Sequence, residues 1–141
     1  MTEDEIDRRM AVALAAVAAA GPLALDYFKA RGRLAIESKG LQDLVSEADR
    51  EVETVIRRHL AAACPDDGIL GEEHGGTLAP RLWVIDPIDG TANFLRGLPY
   101  WCVVLALTVD GAPLLGLTFD PVHSELFVAR RGRGATRDGA A

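Results

Sequence analysis

The spacing of apolar residues changes once along the chain, near Pro65, and this change constrains the fold more than any other feature. Before it, residues 3–20 and 46–60 space their apolar side chains as amphipathic helices do. After it, short apolar runs alternate with turn-forming pairs such as Asp110-Gly111 and Asp120-Pro121, which is typical of antiparallel hairpins. Two helices followed by strands predict an α+β domain in which the helices pack on a mostly antiparallel sheet.

Local signals predict the bounds of these elements. Gly21-Pro22 should kink or interrupt the first helix, and residues 34–36 should form a short strand followed by a loop at 38–43. Ser46 should cap the second helix, with Asp49 three residues on, and Pro65 should close it. The apolar runs predict strands at 68–70, 82–85, 102–109, 114–119 and 126–129.

The bulk composition limits the classes of function. The chain has 141 residues, which suits one domain with a single core. Its net charge of -6 gives no electrostatic support for nucleic-acid binding. The two cysteines, Cys64 and Cys102, lack a metal-binding spacing and predict a reduced, cytoplasmic protein. The apolar run 10–20 imitates a secretory signal, but acidic residues precede it and it is too short to span a bilayer, so we expect a buried helix and no membrane contact.

Residues 82–91 carry the most chemical information. An apolar strand should deliver Asp86 to its carboxyl end, where Pro87 cannot continue the ladder and the chain must turn. Asp89 follows three residues later, close enough for both carboxylates to face one point. Gly90 lets the backbone approach a ligand closely, and Thr91 can begin a short helix whose free N–H groups would bind a phosphate.

A second predicted strand ends just before Glu72. If this strand lies beside the first, Glu72 joins Asp86 and Asp89 in one pocket, and three carboxylates with no paired His or Cys favour Mg²⁺ or Mn²⁺ over zinc. Carboxylates beside a phosphate cradle indicate metal-assisted hydrolysis of a phosphate ester. Taken singly, each acidic residue has a simpler explanation, because aspartates are common in turns and Asp49 suits a helix cap.

Three strings of this sequence resemble the inositol monophosphatase family, in the family's order and approximate spacing. They are Asp43-Leu44-Val45-Ser46-Glu47-Ala48-Asp49, Gly71-Glu72-Glu73 and Trp83-Val84-Ile85-Asp86-Pro87-Ile88-Asp89-Gly90-Thr91-Ala92-Asn93-Phe94. Segments 125–129 and 132–135 also match, so the resemblance extends over nearly the whole chain. It implies the first layer of an αβαβα sandwich and a Mg²⁺-dependent, lithium-sensitive phosphatase, with Mn²⁺ as an alternative ion.

The resemblance also implies the ligands of two metal ions. The first ion would be held by Glu72, Asp86 and the carbonyl oxygen of Ile88. The second would be held by Asp86 and Asp89.

The same resemblance implies roles around the metals. Thr91, paired with Asp49, would orient or deprotonate the attacking water. The substrate phosphate would contact Glu72, Asp89, and the backbone N–H groups of Gly90 and Thr91. The side chains expected just behind the metals are Glu73 and Lys39. Ala92 stands where the family often has a second threonine.

The resemblance further predicts that residues 1–141 form a single N-terminal domain. Family members are considerably longer and add a C-terminal domain, whose Trp-Asp segment has no counterpart after Gly134. Inositol monophosphate is the leading substrate, with histidinol phosphate, fructose bisphosphate and phosphoadenosine phosphate as alternatives. A truncated, non-catalytic interaction module is the other hypothesis. An uncovered sheet face predicts a homodimer or other self-association.

Three further patterns have structural explanations. His59, His74 and His123 are widely separated, which predicts no zinc site. Arg130, Arg131, Arg133 and Arg137, with their interleaved glycines, predict a solvated hairpin turn. Aromatic residues within apolar runs predict core positions, namely Trp83, Trp101 and Phe119.

Overall fold

A computed structural model describes residues 1–32 and 38–141, except for the side chains of residues 38 and 39. The predicted strand at 34–36 and the predicted role of the Lys39 side chain lie outside the described part. The elements of the described residues follow in the order α1 Glu3–Arg31, α2 Ser38–Ala63, β1 Gly68–Gly71, β2 Gly75–Thr77, β3 Arg81–Asp89, α3 Thr91–Arg96, β4 Cys102–Val109, β5 Ala112–Asp120, β6 Glu125–Arg130 and β7 Gly134–Arg137. The α+β class is confirmed.

Helix α1 begins with a capping box, in which the Thr2 hydroxyl accepts from the Glu5 N–H and the Glu5 carboxylate accepts from the Thr2 N–H. The predicted interruption at Gly21-Pro22 is wrong, because α1 continues to Arg31. A proline removes one helical hydrogen bond, and the burial of a whole helix face outweighs that loss. Gly21 is needed for contact with the sheet, since a Cβ there would lie 2.1 Å from the Phe119 ring.

Helix α1 is also strongly apolar. Within the described residues, it is the one helix long and apolar enough to cross a membrane, with a mean hydropathy of 1.7 over its most apolar window. Core helices of globular proteins pass the same test, and α1 packs against α2, β4 and β5. The buried residues of α1 are Ile6, Arg9, Ala13, Ala16, Val17, Ala20, Gly21 and Ala24.

Helix α2 begins at Ser38, eight residues before the predicted cap at Ser46. The predicted loop at 38–43 is therefore wrong, and so is the explanation of Asp49 as a cap, because Asp49 lies inside the helix. The buried stripe explains the earlier start, since it already includes Val45 and continues at helical spacing through Ala48, Val52, Ile56 and Leu60. The helix ends at Ala63, before Pro65, as predicted.

Over residues 1–32 and 38–141, the sheet has seven strands in the order β2-β1-β3-β4-β5-β6-β7. Strands β1 and β3 are parallel neighbours, which confirms the expected placement of the two strands that precede the acidic residues. All other pairs are antiparallel, and hairpins join β4 to β5 and β5 to β6 where the turn-forming pairs predicted them. The short strands β2 and β7, at the two edges, have no counterpart among the predicted runs.

Strand β3 does not turn at Pro87, contrary to the prediction. It continues to Asp89, and its pairing with β4 shifts register between Asp86 and Asp89. A strand tolerates proline, which has no N–H to donate, at such an irregularity, and Pro87 lies there. The irregularity therefore leaves Asp86 and Asp89 on the same strand, with three residues of β3 spanning two of β4.

The two helices cover one face of the sheet. Alternate residues of β3, β4 and β5 are buried beneath them, including Trp83, Ile85, Leu105 and Leu117, and Trp101 is also in this core. Phe119, predicted as core, is only half-buried. On the opposite face an open apolar surface spans β4 to β7, and its most exposed large residue is Phe127, at 42%. Its other members are Val104, Ala106, Gly116, Thr118, Ala129 and Ala135.

Candidate metal centre

Strand β1 ends partway along β3, and acidic residues of both strands come together at that point. Gly71, the last residue of β1, pairs with Ile85, so Glu72 and Asp86 are the next residues beyond the β1–β3 ladder, while β3 continues along β4 to Asp89. Burial raises the pKa of Asp86 to about 7, and the neighbouring charges of Glu72 and Asp89 add to the effect. The structure thus brings Asp86 against both carboxylates that the sequence grouped with it.

Helix α2 contributes a fourth carboxylate from the other side. The Asp49 side chain is buried, with only 8% of the residue exposed. Burial, followed by the charges of Glu73, Glu72 and Asp86, raises the pKa of Asp49 to about 7. The oxygens Asp49 Oδ1 and Asp86 Oδ1 are buried, and no hydrogen-bond partner reaches them within the described part of the chain.

This arrangement fits a divalent cation. Carboxylates that crowd one another hold their protons more tightly, and a cation among them removes that penalty. The donors are all hard oxygens, which suits Mg²⁺ or Mn²⁺. The observation that supports such a site is the pair of buried carboxylate oxygens without partners among the described residues, one on α2 and one on β3.

A second group of possible metal ligands, at another turn, is more compact than the carboxylates around Asp86. Within residues 1–32 and 38–141, the group of three whose ligand atoms all lie within 4.8 Å of one another is Asp120, His123 and Glu125, at the β5–β6 turn. Over the same residues, the three carboxylates at the ends of β1 and β3 do not form such a group. The difference has a physical cause, because His123 Nδ1 lies 2.7 Å from Asp120 Oδ2 and offers a proton, whereas three carboxylates repel. The sequence prediction compared the histidines only with one another and missed this grouping.

The turn after β3 has the predicted outline. Helix α3 begins at Thr91, and Gly90 before it has a φ of 93°, where a Cβ would lie 2.9 Å from the Tyr100 carbonyl oxygen. The Thr91 hydroxyl donates to the Ile88 carbonyl oxygen at 3.1 Å. The Thr91 hydroxyl therefore contacts a carbonyl that the resemblance names as a metal ligand. Across the described residues, no hydrogen bond joins Thr91 to Asp49.

An open cleft of about 410 Å³ adjoins Asp89 on the side of β4 and β5. Cys102 lies on its wall, with Sγ 4.0 Å from Asp89 Oδ2. Burial, followed by the charge of Asp89, raises the pKa of this thiol to about 11. Cys102 therefore stays protonated near neutral pH and is a poor nucleophile. Cys64 and Cys102 are both free thiols.

The residues predicted from the sequence did not include Glu53, a fully buried glutamate next to the site. Its carboxylate accepts the Glu73 N–H at 3.0 Å, the His74 N–H at 2.9 Å and the Arg57 Nε–H at 3.0 Å. Its spacing is the signal that could have revealed it, since Glu53 lies four residues after Asp49 and hence on the same helix face. It directly follows a residue of the buried stripe, a position where a charged residue is rare without partners.

A third buried carboxylate, besides those of Asp49 and Glu53, lies at the opposite end of β1. Asp67 accepts hydrogen bonds from Arg9 Nε at 2.8 Å, Arg81 Nε at 2.7 Å and Trp83 Nε1 at 3.1 Å. Burial alone would raise the pKa of Asp67, but the bonds from Arg9 and Arg81 outweigh it and hold that pKa below its ordinary value. These contacts join α1 to the sheet, so the role of Asp67 is structural.

Known proteins are similar to this chain in sequence. The sequence profile of the inositol monophosphatase family matches residues 5–141. The Nus factor SuhB of Xylella fastidiosa is 45% identical over 121 residues, covering 85% of this chain and 44% of that protein. The histidinol-phosphatase of Chlorobaculum parvum is 46% identical over 123 residues, covering 86% and 47%. The inositol-1-monophosphatase of Rhizobium meliloti is 41% identical over 116 residues, covering 80% and 43%.

Solved structures agree with these relatives. The inositol monophosphatase of Anabaena superposes with a TM-score of 0.82 at 32% identity, covering 96% of this chain and 49% of that one. The suhB protein of Bartonella henselae superposes with a TM-score of 0.80 at 33% identity, covering 93% and 51%. This chain spans about half the length of the curated relatives it matches.

Proposed function

The chain belongs to the inositol monophosphatase family, and we propose that it carries the metal-binding part of an enzyme that hydrolyses a small phosphate monoester. The observation that carries the proposal is the pair of buried, unpartnered oxygens of Asp49 and Asp86 beside Glu72 and Asp89. Three relatives from different organisms are named as phosphatases of small molecules, which supports the same class of reaction.

In this proposal the metal ligands are three carboxylates and one backbone carbonyl. Glu72, Asp86, Asp89 and the Ile88 carbonyl would hold Mg²⁺, with Mn²⁺ as the alternative. The ions, when bound, neutralise phosphoryl oxygens, lower the pKa of water and stabilise the leaving oxygen.

Residues beside the metal ligands would handle the substrate and the water. The N–H groups of Gly90 and Thr91 would hold the phosphate. The Thr91 hydroxyl already donates a hydrogen bond to the Ile88 carbonyl oxygen, so the hydroxyl oxygen is left to accept a hydrogen bond from the attacking water. Asp49, buried on the opposite side, would take the proton from that water. Glu73 would stay behind the metal ligands, with its N–H held by Glu53.

Inositol monophosphate is the proposed substrate, as the family resemblance implies, and histidinol phosphate is the alternative, because a relative named for each is 41% and 46% identical, respectively. Fructose bisphosphate and phosphoadenosine phosphate stay as wider alternatives. We place the protein in the cytoplasm, without nucleic-acid or membrane partners.

A non-catalytic interaction module is the second candidate function. Two relatives are named Nus factor rather than phosphatase, and this chain spans less than half of either. The open face around Phe127 could bury itself against a second copy, so we propose that residues 1–141, as one domain, self-associate. Light scattering on the purified chain measures this directly.

Metal titration and phosphate release test the enzymatic proposal together. Calorimetry with Mg²⁺ should show one measurable site in the purified chain and a second, weaker one, because only Asp86 and Asp89 serve the second ion. Phosphate release from inositol monophosphate should be slow and should disappear in Asp86→Asn. Asp120→Asn is the matched control, because it removes an aspartate from the other cluster. Loss of Mg²⁺ binding in the control, with retention in Asp86→Asn, would move the metal to the β5–β6 turn.

A further inference from the structure

We propose that Glu53 is a positioning residue that fixes the turn between β1 and β2 and thereby sets the affinity of the site for its metal. The inference rests on the proposed function, since it concerns the same metal ligands. It gives a role to Glu53, a carboxylate that is fully buried in a helix whose other buried side chains are mostly apolar.

The contacts of Glu53 all converge on one short turn. One carboxylate oxygen accepts the N–H of Glu73 and the other accepts the N–H of His74. Arg57, one helical turn further along α2, donates to the same carboxylate and also to the Gly75 carbonyl oxygen. Two residues of the turn and the first residue of β2 are therefore held by two side chains of α2.

These bonds turn the Glu53 carboxylate towards the backbone of the turn and towards Arg57. Both oxygens are engaged by N–H donors, and the side chain is fully buried. The fit is close, because a Cβ on Gly71 would lie 2.2 Å from Glu53 Oε1. Helix α2 can approach the end of β1 this closely only with glycine at that position.

The turn matters because it begins at a proposed metal ligand. Glu72 lies between Gly71, which the β1–β3 ladder holds, and Glu73, which Glu53 holds. Its backbone is therefore fixed on both sides, opposite Asp86. Residues that orient metal ligands by hydrogen bonds commonly change metal affinity by about 10–100-fold when they are replaced.

The experiment compares Glu53→Gln with Asp67→Asn in the full chain. Both substitutions turn a fully buried, hydrogen-bonded carboxylate into an amide of the same shape, and Asp67 lies at the far end of β1. Mn²⁺ alone is the probe, titrated by electron paramagnetic resonance. Glu53→Gln should weaken Mn²⁺ binding by about 10–100-fold, whereas Asp67→Asn should bind as the wild type does. Glu53→Asp, which keeps the charge but is too short to reach both N–H groups, replaces Glu53→Gln if that variant does not fold.

A second measurement needs no metal. Hydrogen exchange of the Glu73 and His74 amides in EDTA should become about tenfold faster or more in the Glu53 variants, because a hydrogen bond to a charged acceptor is lost.

A folded Glu53 variant with wild-type Mn²⁺ affinity would overturn the positioning role and leave the metal site in place. A wild-type chain that binds no Mn²⁺ would overturn the proposed function, and the inference with it.

Discussion

Replacing Asp86 by asparagine should make the metal-free protein more stable while removing its response to Mg²⁺. Asp86 is half-buried among like charges, and its pKa rises from 3.8 to about 7 in the folded state. A folded-state pKa above the unfolded value means that the folded form holds the proton more tightly. The contribution of this carboxyl to stability is therefore greatest near pH 4 and is lost as the pH rises through about 7.

The size of the effect follows from the shift. A difference of about three pKa units corresponds to roughly 4 kcal/mol at 1.36 kcal/mol per unit, and solvent screening of a half-buried group reduces this to about 1–2 kcal/mol. In EDTA at pH 8, Asp86→Asn should thus unfold in urea with a free energy about 1–2 kcal/mol higher than wild type. The difference in free energy of unfolding between Asp86→Asn and wild type should become smaller as the pH is lowered towards 4.

Asp26→Asn is the matched control, because Asp26 is exposed on α1 and the substitution removes the same charge. It should leave the free energy of unfolding within about 0.5 kcal/mol of wild type. Millimolar Mg²⁺ should stabilise wild type and the control but not Asp86→Asn. A metal-free Asp86→Asn protein that is no more stable than wild type at pH 8 would refute the account of the site as a strained carboxylate cluster.

Two further predictions concern Asp67 and the pair Thr91 and Asp49. Asp67→Ala should lower the free energy of unfolding in urea by about 3–5 kcal/mol, because it leaves the buried Arg9 guanidinium without its partner; a loss below about 1 kcal/mol would contradict this. In assays of phosphate release, Thr91→Ala and Asp49→Asn should each lower kcat about as much as the double substitution does, because groups that act as a unit are not additive. Additive losses would separate their roles.

The sheet could be predicted from the sequence because its signals are local. Asp110-Gly111 specifies a tight hairpin, and the structure has left-handed φ values at both residues, 50° and 81°. The two strands that precede Glu72 and Asp86 are adjacent, as expected, because each is short, apolar and followed by acidic residues. What such patterns could not reveal is the bulge at Pro87, since its position depends on how β4 pairs with β3.

The helix bounds show why a local signal can fail. Ser46 and Asp49 have the spacing of a capping motif, which contributes about 1 kcal/mol. Extending the helix to Ser38 buries Val45 and gains backbone hydrogen bonds at each added residue. Because this gain exceeds the contribution of a cap, the helix begins early. Asp49 becomes available to the site because it lies inside the helix rather than at its end.

The position of Asp49 inside α2 means that both the helices and the sheet contribute carboxylates to the site. Asp49 and Glu53 are four residues apart on α2, so one helix face carries both a carboxylate of the cluster and the side chain that holds the β1–β2 turn. A rotation of α2 would move both at once, whereas Asp86 would stay with β3. The burial of Val52 and Ile56 fixes that rotation. The geometry of the proposed metal site therefore depends on packing between the helices and the sheet. Residue types and spacing grouped its carboxylates but did not point to Glu53, which binds the backbone of the turn that begins at Glu72.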